Sequence, residues 1–200
     1  MIIGVDFDNT IVCYDELLHK ISLRKGFIPS NIPHAKDAIR NYLRKCGKEN
    51  VWIELQGAIY GPGILEAKPF KGVLDFFMHC KKNKIKVYII SHKTLHPFLG
   101  SKHSLHEFAH KWLEKYGFYD SRKIGLPKNR VFFELKKEDK LKRIIKQQCT
   151  HFIDDLPEFL SEKGFPSGIA RFLFDPNSQY ENIEGVEHIK SWEDILEKVK

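Results

Sequence analysis

Acidic side chains follow two short apolar segments of this chain, at the point where each segment ends. Asp6 and Asp8 come directly after the apolar residues that open the chain. Asp154 and Asp155 follow a later apolar segment. Alternation along an extended chain puts Asp6 and Asp8 on the same side. Paired carboxylates can divide the work of nucleophile and general acid–base, or hold Mg²⁺ through their oxygens. The alternative is a solvated turn at each strand end, in which these side chains only cap the backbone.

Hydroxyl and amine side chains occupy comparable positions. Thr10 follows the first acidic pair, and Ser91 closes a second apolar segment. Lys136, Lys137 and Lys140 lie near the start of a helical segment. A hydroxyl at a strand end can hold a phosphate oxygen, and an ammonium can neutralise a phosphoryl group. Each residue also has an ordinary role as a cap or a solvated side chain, so none of them decides the chemistry alone.

These residues need a scaffold, and the apolar segments predict one. Short apolar runs typical of buried parallel strands occupy residues 2–6, 86–91, 131–134, 151–154 and 170–174. Helical patterns with apolar residues three and four apart occupy residues 72–82, 104–116, 139–148 and a last segment opened by the capping box Ser191–Asp194. Strands that alternate with helices predict an α/β domain with a parallel sheet. Ligands of such domains bind at the carboxyl ends of the strands, where the acidic pairs lie.

The spacing of the predicted strands is uneven. About 80 residues separate the first strand from the second, and later strands follow at intervals of about 45, 20 and 20. A plain crossover is far shorter than 80 residues, so an insertion is expected. Its amphipathic patterns predict three helices, at residues 15–24, 35–44 and 51–60. We expect a core of residues 1–13 and 69–200 with a helical cap of residues 14–68; an extra helical layer without a functional part is the alternative.

Length and composition exclude several classes of protein. The chain has 200 residues, which is one domain's worth, and 42% of them are hydrophobic. Its aromatic content of 12% is too high for a disordered chain. No apolar run approaches the roughly 18 residues that span a bilayer, and the N-terminus lacks a basic leader region. We therefore expect a globular protein with no membrane span and no signal peptide.

Charge and cysteine usage restrict the partners and the compartment. The formal net charge is +7, which favours anionic partners such as phosphorylated metabolites and, more weakly, nucleic acid. Four cysteines stand far apart, at positions 13, 46, 80 and 149, without a C-x-x-C motif. This spacing argues against a zinc site and favours a reduced, cytoplasmic compartment.

Four motifs in register give the chain a family resemblance. The acidic pair, hydroxyl, lysine and second acidic pair occur as GVDFDNT at 4–10, KVYIIS at 86–91, KKEDK at 136–140 and HFIDD at 151–155. This order resembles the four motifs of the haloacid dehalogenase (HAD) superfamily of phosphohydrolases, over residues 1–13 and 69–200. The resemblance implies an α/β, Rossmann-like three-layer parallel sheet with a small helical cap inserted between the first two motifs.

The resemblance also implies a role for each motif residue. Asp6 would be the nucleophile that forms an aspartyl-phosphate. Asp8 would protonate the leaving oxygen and then activate water, and an acid at this position favours phosphoester hydrolysis. Thr10 and Ser91 would orient the nucleophile and the phosphoryl group. This assignment agrees with the need for positive charge around a transferring phosphoryl group.

The resemblance further implies a Mg²⁺ ion and a lysine that contacts phosphate. The ion would be held by Asp6, the backbone carbonyl of Asp8, and either Asp154 or Asp155, of which we favour Asp155. The lysine would be Lys137 or Lys140. We favour Lys137 slightly, because it lies just before the predicted helix.

Residues outside the four motifs are weaker candidates for substrate contact. His92 and Lys93 follow Ser91 directly and would line the phosphate pocket. In the expected cap, the candidates that combine flat apolar surface with hydrogen bonding are Trp52, Glu54, Gln56 and Tyr60. The two aromatic rings can equally pack inside the cap.

Several functions remain open on the sequence alone. The first is a Mg²⁺-dependent phosphatase that acts on a small phosphate monoester, such as a sugar phosphate or a nucleotide. A phosphotransferase would use the same two aspartates. A phosphatase on nucleic-acid ends would fit the net charge, but the basic residues are spread along the chain without an aromatic-interleaved stripe. The last is a catalytically silent binding module, which is disfavoured because the carboxylates are intact.

Overall fold

The described part of the chain folds into eight strands and eight α-helices. The computed structural model describes residues 1–199. The strands are β1 (Ile2–Val5), β2 (Val12–Cys13), β3 (Lys68–Pro69), β4 (Lys86–His92), β5 (Val131–Glu134), β6 (His151–Asp154), β7 (Ala170–Phe174) and β8 (Glu187–Ile189). The helices are α1 (Asp15–Arg24), α2 (Lys36–Lys45), α3 (Glu49–Tyr60), α4 (Val73–Lys82), α5 (Leu105–Lys115), α6 (Lys137–Lys146), α7 (Pro157–Leu160) and α8 (Trp192–Lys198). Two short 3-10 segments are Pro62–Glu66 and Lys128–Arg130.

Six of the strands form one sheet, in the order β5-β4-β1-β6-β7-β8, and every neighbouring pair is parallel. The two-residue strands β2 and β3 pair separately. The predicted α/β fold with a Rossmann-like parallel sheet is confirmed. All five predicted strands are present, and β8 is a sixth that the apolar patterns did not indicate.

The central strand β1 is buried on both faces, as its unbroken apolar sequence predicts. Ile3 and Val5 are fully buried. Between them, Gly4 lies so close to β6 that a Cβ atom would stand 2.5 Å from the Phe152 ring. Only glycine lets the two strands and the ring pack at this distance. This close packing fixes the position at which β1 ends relative to β6.

The helix bounds follow the capping signals closely, with one informative exception. Ser191 and Asp194 form the predicted capping box at the start of α8. Helix α6, however, begins at Lys137 rather than at residue 139. Glu138 and Asp139 then lie in its first turn, where negative charge is favourable at the helix N-terminus. The earlier start brings Lys140 one full turn into the helix.

The described chain divides into two compact units. The first comprises residues 1–12, 69–93 and the chain from Gly117 onward, and it contains the six-stranded sheet. The second comprises residues 13–68 together with residues 94–116, and it is mainly helical. Within it, Trp112 of α5 is buried and donates a hydrogen bond of 2.9 Å to the carbonyl of Ala67. The prediction had assigned residues 94–116 to the core, whereas in the structure they belong with the helical unit.

Two further findings bear on the class of protein. All four cysteines are free thiols. Within residues 1–199, no helix is both long and apolar enough to cross a bilayer.

Candidate active site

Three adjacent central strands bring the motif residues to one edge of the sheet. Strand β1 lies between β4 and β6, and Val5 pairs with Ile89 on one side and Ile153 on the other. Asp6 and Ser91 follow these paired residues by one or two positions. Because neighbouring parallel strands lie about 4.8 Å apart, the side chains that leave their carboxyl ends meet in one small volume.

The loop after β1 is held by its own backbone. The Asp6 N–H donates a bond of 2.9 Å to the carbonyl of Ile153, which extends the β1–β6 ladder by one residue. The carbonyl of Phe7 accepts from both Ile11 and Val12, at 3.1 Å each. Asn9 takes a left-handed conformation with φ of 59°, which asparagine tolerates better than most residues. The loop is therefore a fixed turn rather than a flexible connection.

Lys140 lies at the centre of the site. Its ammonium Nζ is 2.6 Å from Asp6 Oδ1 and 2.6 Å from Asp154 Oδ2. The lysine side chain is only 2% exposed, and the Asp154 side chain is fully buried. The same ammonium stands 4.3 Å from the centre of the Phe159 ring. One helix thus supplies the cation that joins two carboxylates from two different strands.

The charges in this cluster do not balance, because two carboxylates share one ammonium. Burial raises the pKa of Asp6, the Lys140 ammonium lowers it, and the Asp154 carboxylate raises it again, with a net value of about 7. Burial lowers the pKa of Lys140, but the carboxylates of Asp154 and Asp6 outweigh burial and raise it above the usual lysine value. One ammonium therefore compensates two buried carboxylates only in part, and the cluster favours a further cation.

This arrangement supports Lys140 over the slightly favoured Lys137 as the lysine that contacts phosphate, and the assignment stays a prediction. Lys137 lies 3.7 Å from Glu158 in a surface pair whose lysine side chain is 37% exposed. The physical reason is the start of α6: residue 137 opens the helix and points elsewhere, whereas residue 140 reaches the carboxylates one turn later.

Two buried hydroxyls at the site have no hydrogen-bond partner. Thr10 is fully buried and Ser91 is 1% exposed, and neither hydroxyl oxygen is satisfied within the described chain. A buried hydroxyl without a partner is costly, and a polar ligand atom at the strand ends would supply the missing partner. The backbone carbonyl of Thr10 accepts a bond of 3.2 Å from the Trp192 indole of α8, which anchors the loop from behind.

Asp8 has a partner that the motifs did not indicate. Lys93 donates to both of its carboxylate oxygens, at 2.9 and 2.8 Å, and the lysine side chain is 2% exposed. The neighbouring His92 is half-buried, one of its ring nitrogens lies 3.2 Å from the Leu135 carbonyl, and burial lowers its pKa. Lys93 was expected only as a lining residue of a phosphate pocket; its bidentate bond to Asp8 places it beside the second motif carboxylate.

The residues available for a metal ion are all carboxylates. Asp6, Asp154 and Asp155 each offer an oxygen, and these three oxygens lie within 4.8 Å of one another. Oxygen ligands are the ones that Mg²⁺ prefers. Asp154 already uses one oxygen for Lys140 and the other for the Leu156 N–H, at 3.0 Å. The donor set fits Mg²⁺.

The expected substrate contacts in the helical unit are less well supported. Trp52 is 2% exposed, so its ring offers almost no surface to a ligand. Tyr60 is half-buried and packs against the Tyr14 ring, with centroids 4.6 Å apart. Gln56 is half-buried and Glu54 is exposed. A substrate role for Gln56, Glu54 or Tyr60 stays a prediction, and Trp52 is a packing residue of its unit.

Comparisons with known proteins give matches to structures only. No family model matches the chain, and no curated protein matches it. The protein YfnB from Bacillus subtilis, named as a HAD-hydrolase and crystallised with magnesium, aligns at a TM-score of 0.60 and 14% identity, over 100% of this chain and 98% of that one. A HAD-superfamily hydrolase from Ehrlichia chaffeensis aligns at 0.55 and 11% identity, covering 98% and 94%.

A third match carries a more specific name. It is a HAD phosphatase from Thermococcus onnurineus, with a TM-score of 0.52 and 14% identity over 98% of this chain and 95% of that one. At such identities the alignments establish architecture. Together with the six-stranded parallel sheet and its strand-end carboxylates, they confirm the resemblance drawn from the four motifs at the level of the fold. The chain has the fold of the haloacid dehalogenase superfamily.

Proposed function

We propose that the protein is a Mg²⁺-dependent phosphohydrolase that cleaves a small phosphate monoester through an aspartyl-phosphate intermediate. The observation that carries this proposal is the buried cluster in which Lys140 lies 2.6 Å from both Asp6 and Asp154, at the carboxyl edge of the sheet. The buried, unpartnered hydroxyls of Thr10 and Ser91 support it, because they leave two donors for phosphoryl oxygens.

Asp6 is the nucleophile of the proposed reaction. Its carboxylate oxygen attacks phosphorus, and the bond from phosphorus to the ester oxygen breaks. Lys140 holds Asp6 in position and offsets negative charge as two anions approach. Ser91 and Thr10 donate to the phosphoryl oxygens and orient the group for in-line attack.

Asp8 handles the protons. In the first half-reaction its carboxyl group donates a proton to the departing alkoxide. In the second, the resulting carboxylate accepts a proton from water as the water oxygen attacks phosphorus, which frees phosphate and regenerates Asp6. The bidentate bond from Lys93 fixes the Asp8 side chain before substrate enters. Lys93 carries three N–H donors, so it can turn one or more toward the phosphoryl group and release an Asp8 oxygen to carry the proton.

Mg²⁺ would be held by Asp6, Asp155 and the backbone carbonyl of Asp8. When bound, the ion supplies the positive charge that lets an anionic nucleophile approach an anionic ester. We propose that substrate selection belongs to the helical unit of residues 14–68, extended by residues 94–116, with sugar phosphates and nucleotides as candidate substrates. The four free thiols are compatible with a cytoplasmic enzyme.

Trapping the intermediate tests this proposal. Asp8→Asn should still be phosphorylated by p-nitrophenyl phosphate, whose leaving group needs little protonation, but should hydrolyse the intermediate slowly because it lacks the general base. We expect acid quenching and peptide mass spectrometry to find a phosphoryl group on Asp6 in this variant. The Asp6→Asn, Asp8→Asn double variant is the control. Phosphorylation at any other residue, or equal labelling of the double variant, would contradict the proposed nucleophile.

A further inference from the structure

Two basic runs contain none of the candidate site residues and have no part in the proposed reaction. Their cations are Lys81, Lys82, Lys84, Lys86, Arg122, Lys123, Lys128 and Arg130, and we call these eight residues the basic face. The flanking sequence is unusual in its lack of acids. No Asp or Glu occurs from residue 76 to residue 106, or from residue 121 to residue 133.

The fold joins the two runs at the amino edge of the sheet, all within the first unit. Lys86 opens β4, and Arg130 directly precedes β5, the neighbouring strand. Lys81, at the end of α4, donates 2.6 Å hydrogen bonds to the backbone carbonyls of Ser121 and Lys123. The first run is thereby bonded to the second, so that Lys81, Lys84 and Lys86 lie beside Arg130.

The charge of the basic face is almost entirely uncompensated. Arg122 pairs with Asp120 at 3.2 Å, and it is the one member that makes an ion pair with an acid in residues 1–199. Lys82, Lys84 and Lys86 are exposed and make none. Unpaired cations gathered on one surface create a positive potential that attracts anions.

A cavity of about 290 Å³ opens among these cations. Lys84, Lys86 and Arg130 line it, and its apolar wall includes Ile85, Leu126 and Pro127. The Cys80 thiol also lines it, and burial raises the pKa of that thiol to about 12, so the wall is uncharged there. A flat apolar group attached to a phosphate fits such a combination of apolar wall and cationic rim.

Lys84 occupies a position that the fold alone would give to glycine. It follows the C-cap of α4 with φ of 57°, in the left-handed region. The Lys84 and Ile85 N–H groups close the helix by bonding to the carbonyls of Lys81 and Cys80. Glycine takes this conformation without steric strain, whereas lysine does not. A lysine here is locally unfavourable for the backbone, and its side chain lies on the cavity rim.

We propose that the basic face binds single-stranded nucleic acid, with backbone phosphates on Lys84, Lys86 and Arg130 and a base against the apolar wall of the cavity. A strand is favoured over a lone nucleotide because the cations extend well beyond the cavity, along both runs. It is favoured over a membrane surface because the apolar groups lie inside a cavity rather than on a projecting surface.

This site is separate from the candidate active site. Lys86 and Ser91 are at opposite ends of β4, and five strand residues span about 17 Å. The proposal does not depend on phosphatase activity, and its test needs no turnover.

The test is fluorescence anisotropy with a labelled fifteen-residue oligothymidylate and the full chain. If the strand contacts about four phosphates, the logarithm of the association constant should fall with the logarithm of the salt concentration at a slope of about −2.8. Affinity should then fall about 50-fold between about 50 and 200 mM salt. The variant Lys84→Gly, Lys86→Gln, Arg130→Gln should weaken binding by at least about tenfold and reduce the slope to about −0.7. Its hydrolysis of p-nitrophenyl phosphate should not change.

Two controls separate this site from general charge effects. The variant Lys25→Gln, Lys45→Gln, Lys48→Gln loses the same three charges from exposed positions of the helical unit and should bind as the unaltered chain does. Lys84→Gly alone should have a thermal midpoint at or above that of the unaltered chain. The salt dependence of its binding should nevertheless be weaker, with a slope about 0.7 closer to zero. A loss of binding in that variant is therefore not a loss of fold.

Four outcomes would overturn the proposal. One is no binding of the oligothymidylate at low salt. Another is equal weakening by the control variant, which would indicate diffuse charge. Binding of polyphosphate as tight as that of the oligothymidylate would exclude recognition of a base. Competition by adenosine monophosphate at the same affinity would assign the cavity to a free nucleotide instead of a strand.

Discussion

At the scale of single residues, the site depends on how one ammonium is shared. Lys140 Nζ is bonded to Asp6 and Asp154, and all three side chains are almost fully removed from water. With both carboxylates ionised the group carries one net negative charge. Removal of the lysine leaves two carboxylates without a cation in a medium of low dielectric constant, whereas removal of one carboxylate leaves a balanced pair.

We therefore expect Lys140→Ala and Lys137→Ala to behave very differently. Lys140→Ala should lose about 3–5 kcal/mol of unfolding free energy, which is about 6–20 °C in thermal midpoint for a chain of this length, and should have no measurable turnover. Lys137→Ala removes only a long surface pair with Glu158 and should lose about 0.5 kcal/mol or less. Urea unfolding and hydrolysis of p-nitrophenyl phosphate measure both effects.

Lys140→Met keeps the length of the side chain without its charge and controls for the lost packing volume. If Lys140→Met were as stable and active as the unaltered chain, the buried ion triad would have no role. If Lys137→Ala were the inactive variant, the original preference for Lys137 would be correct after all.

At the scale of elements, helix α8 supports the site from outside it. The Trp192 indole is buried and donates to the carbonyl of Thr10, in the loop that carries both motif aspartates. This bond couples the last helix to the position of the Thr10 hydroxyl. Trp112 makes the same kind of bond to the Ala67 carbonyl in the helical unit, but that carbonyl also accepts a bond of 3.0 Å from the Tyr116 hydroxyl.

Trp192→Phe should lose about 1–3 kcal/mol of stability, because it leaves the buried Thr10 carbonyl without its donor. Trp112→Phe should lose less, because the Ala67 carbonyl keeps its bond of 3.0 Å from the Tyr116 hydroxyl. Only Trp192→Phe should also lower kcat, by about tenfold, because the loop and its hydroxyl shift by a fraction of an ångström. KM should change less than kcat. Steady-state kinetics at a temperature where both variants are folded measure the difference, and equal kcat values would show that α8 has no positioning role.

The strands and helices also show which parts of the fold could be predicted from the sequence. The apolar runs predicted five strands correctly, because strands buried on both faces need continuous apolar residues. Strand β8 was missed because Glu187-His188-Ile189 is short and mostly polar, and only its pairing with β7 makes it a strand. Helix α6 starts two residues earlier than predicted, and its first turn brings Lys140, instead of the slightly favoured Lys137, to the carboxylates.

Contacts between residues far apart in the chain could not be predicted from the sequence. The bond between Lys93 and Asp8 joins residues 85 positions apart, and nothing in either segment indicates it. The same holds for residues 94–116, whose helix α5 was predicted correctly but whose partner unit was not. Local patterns specify an element and its buried face, whereas the element's partner is decided by packing across the whole chain.

At the scale of the whole molecule, the two edges of the parallel sheet carry opposite charge. The carboxyl edge gathers Asp6, Asp8, Asp154 and Asp155, and the amino edge carries the basic face. In a parallel sheet the loops at the carboxyl ends of the strands are different segments from those at the amino ends. The residues at one edge can therefore be altered without changing those at the other. The net charge of +7 thus conceals a strongly acidic site, and net charge alone does not identify the substrate.

The most direct test of the central claim is hydrolysis of p-nitrophenyl phosphate with Mg²⁺, with EDTA, and by Asp6→Asn beside the exposed-surface control Asp75→Asn. We expect metal-dependent release of p-nitrophenol by the unaltered chain and by Asp75→Asn, and none with EDTA or from Asp6→Asn. The thermal midpoint of Asp6→Asn should not fall, because the change balances the buried charge of Lys140 and Asp154. Full activity of Asp6→Asn, or activity unaffected by EDTA, would contradict the proposed chemistry.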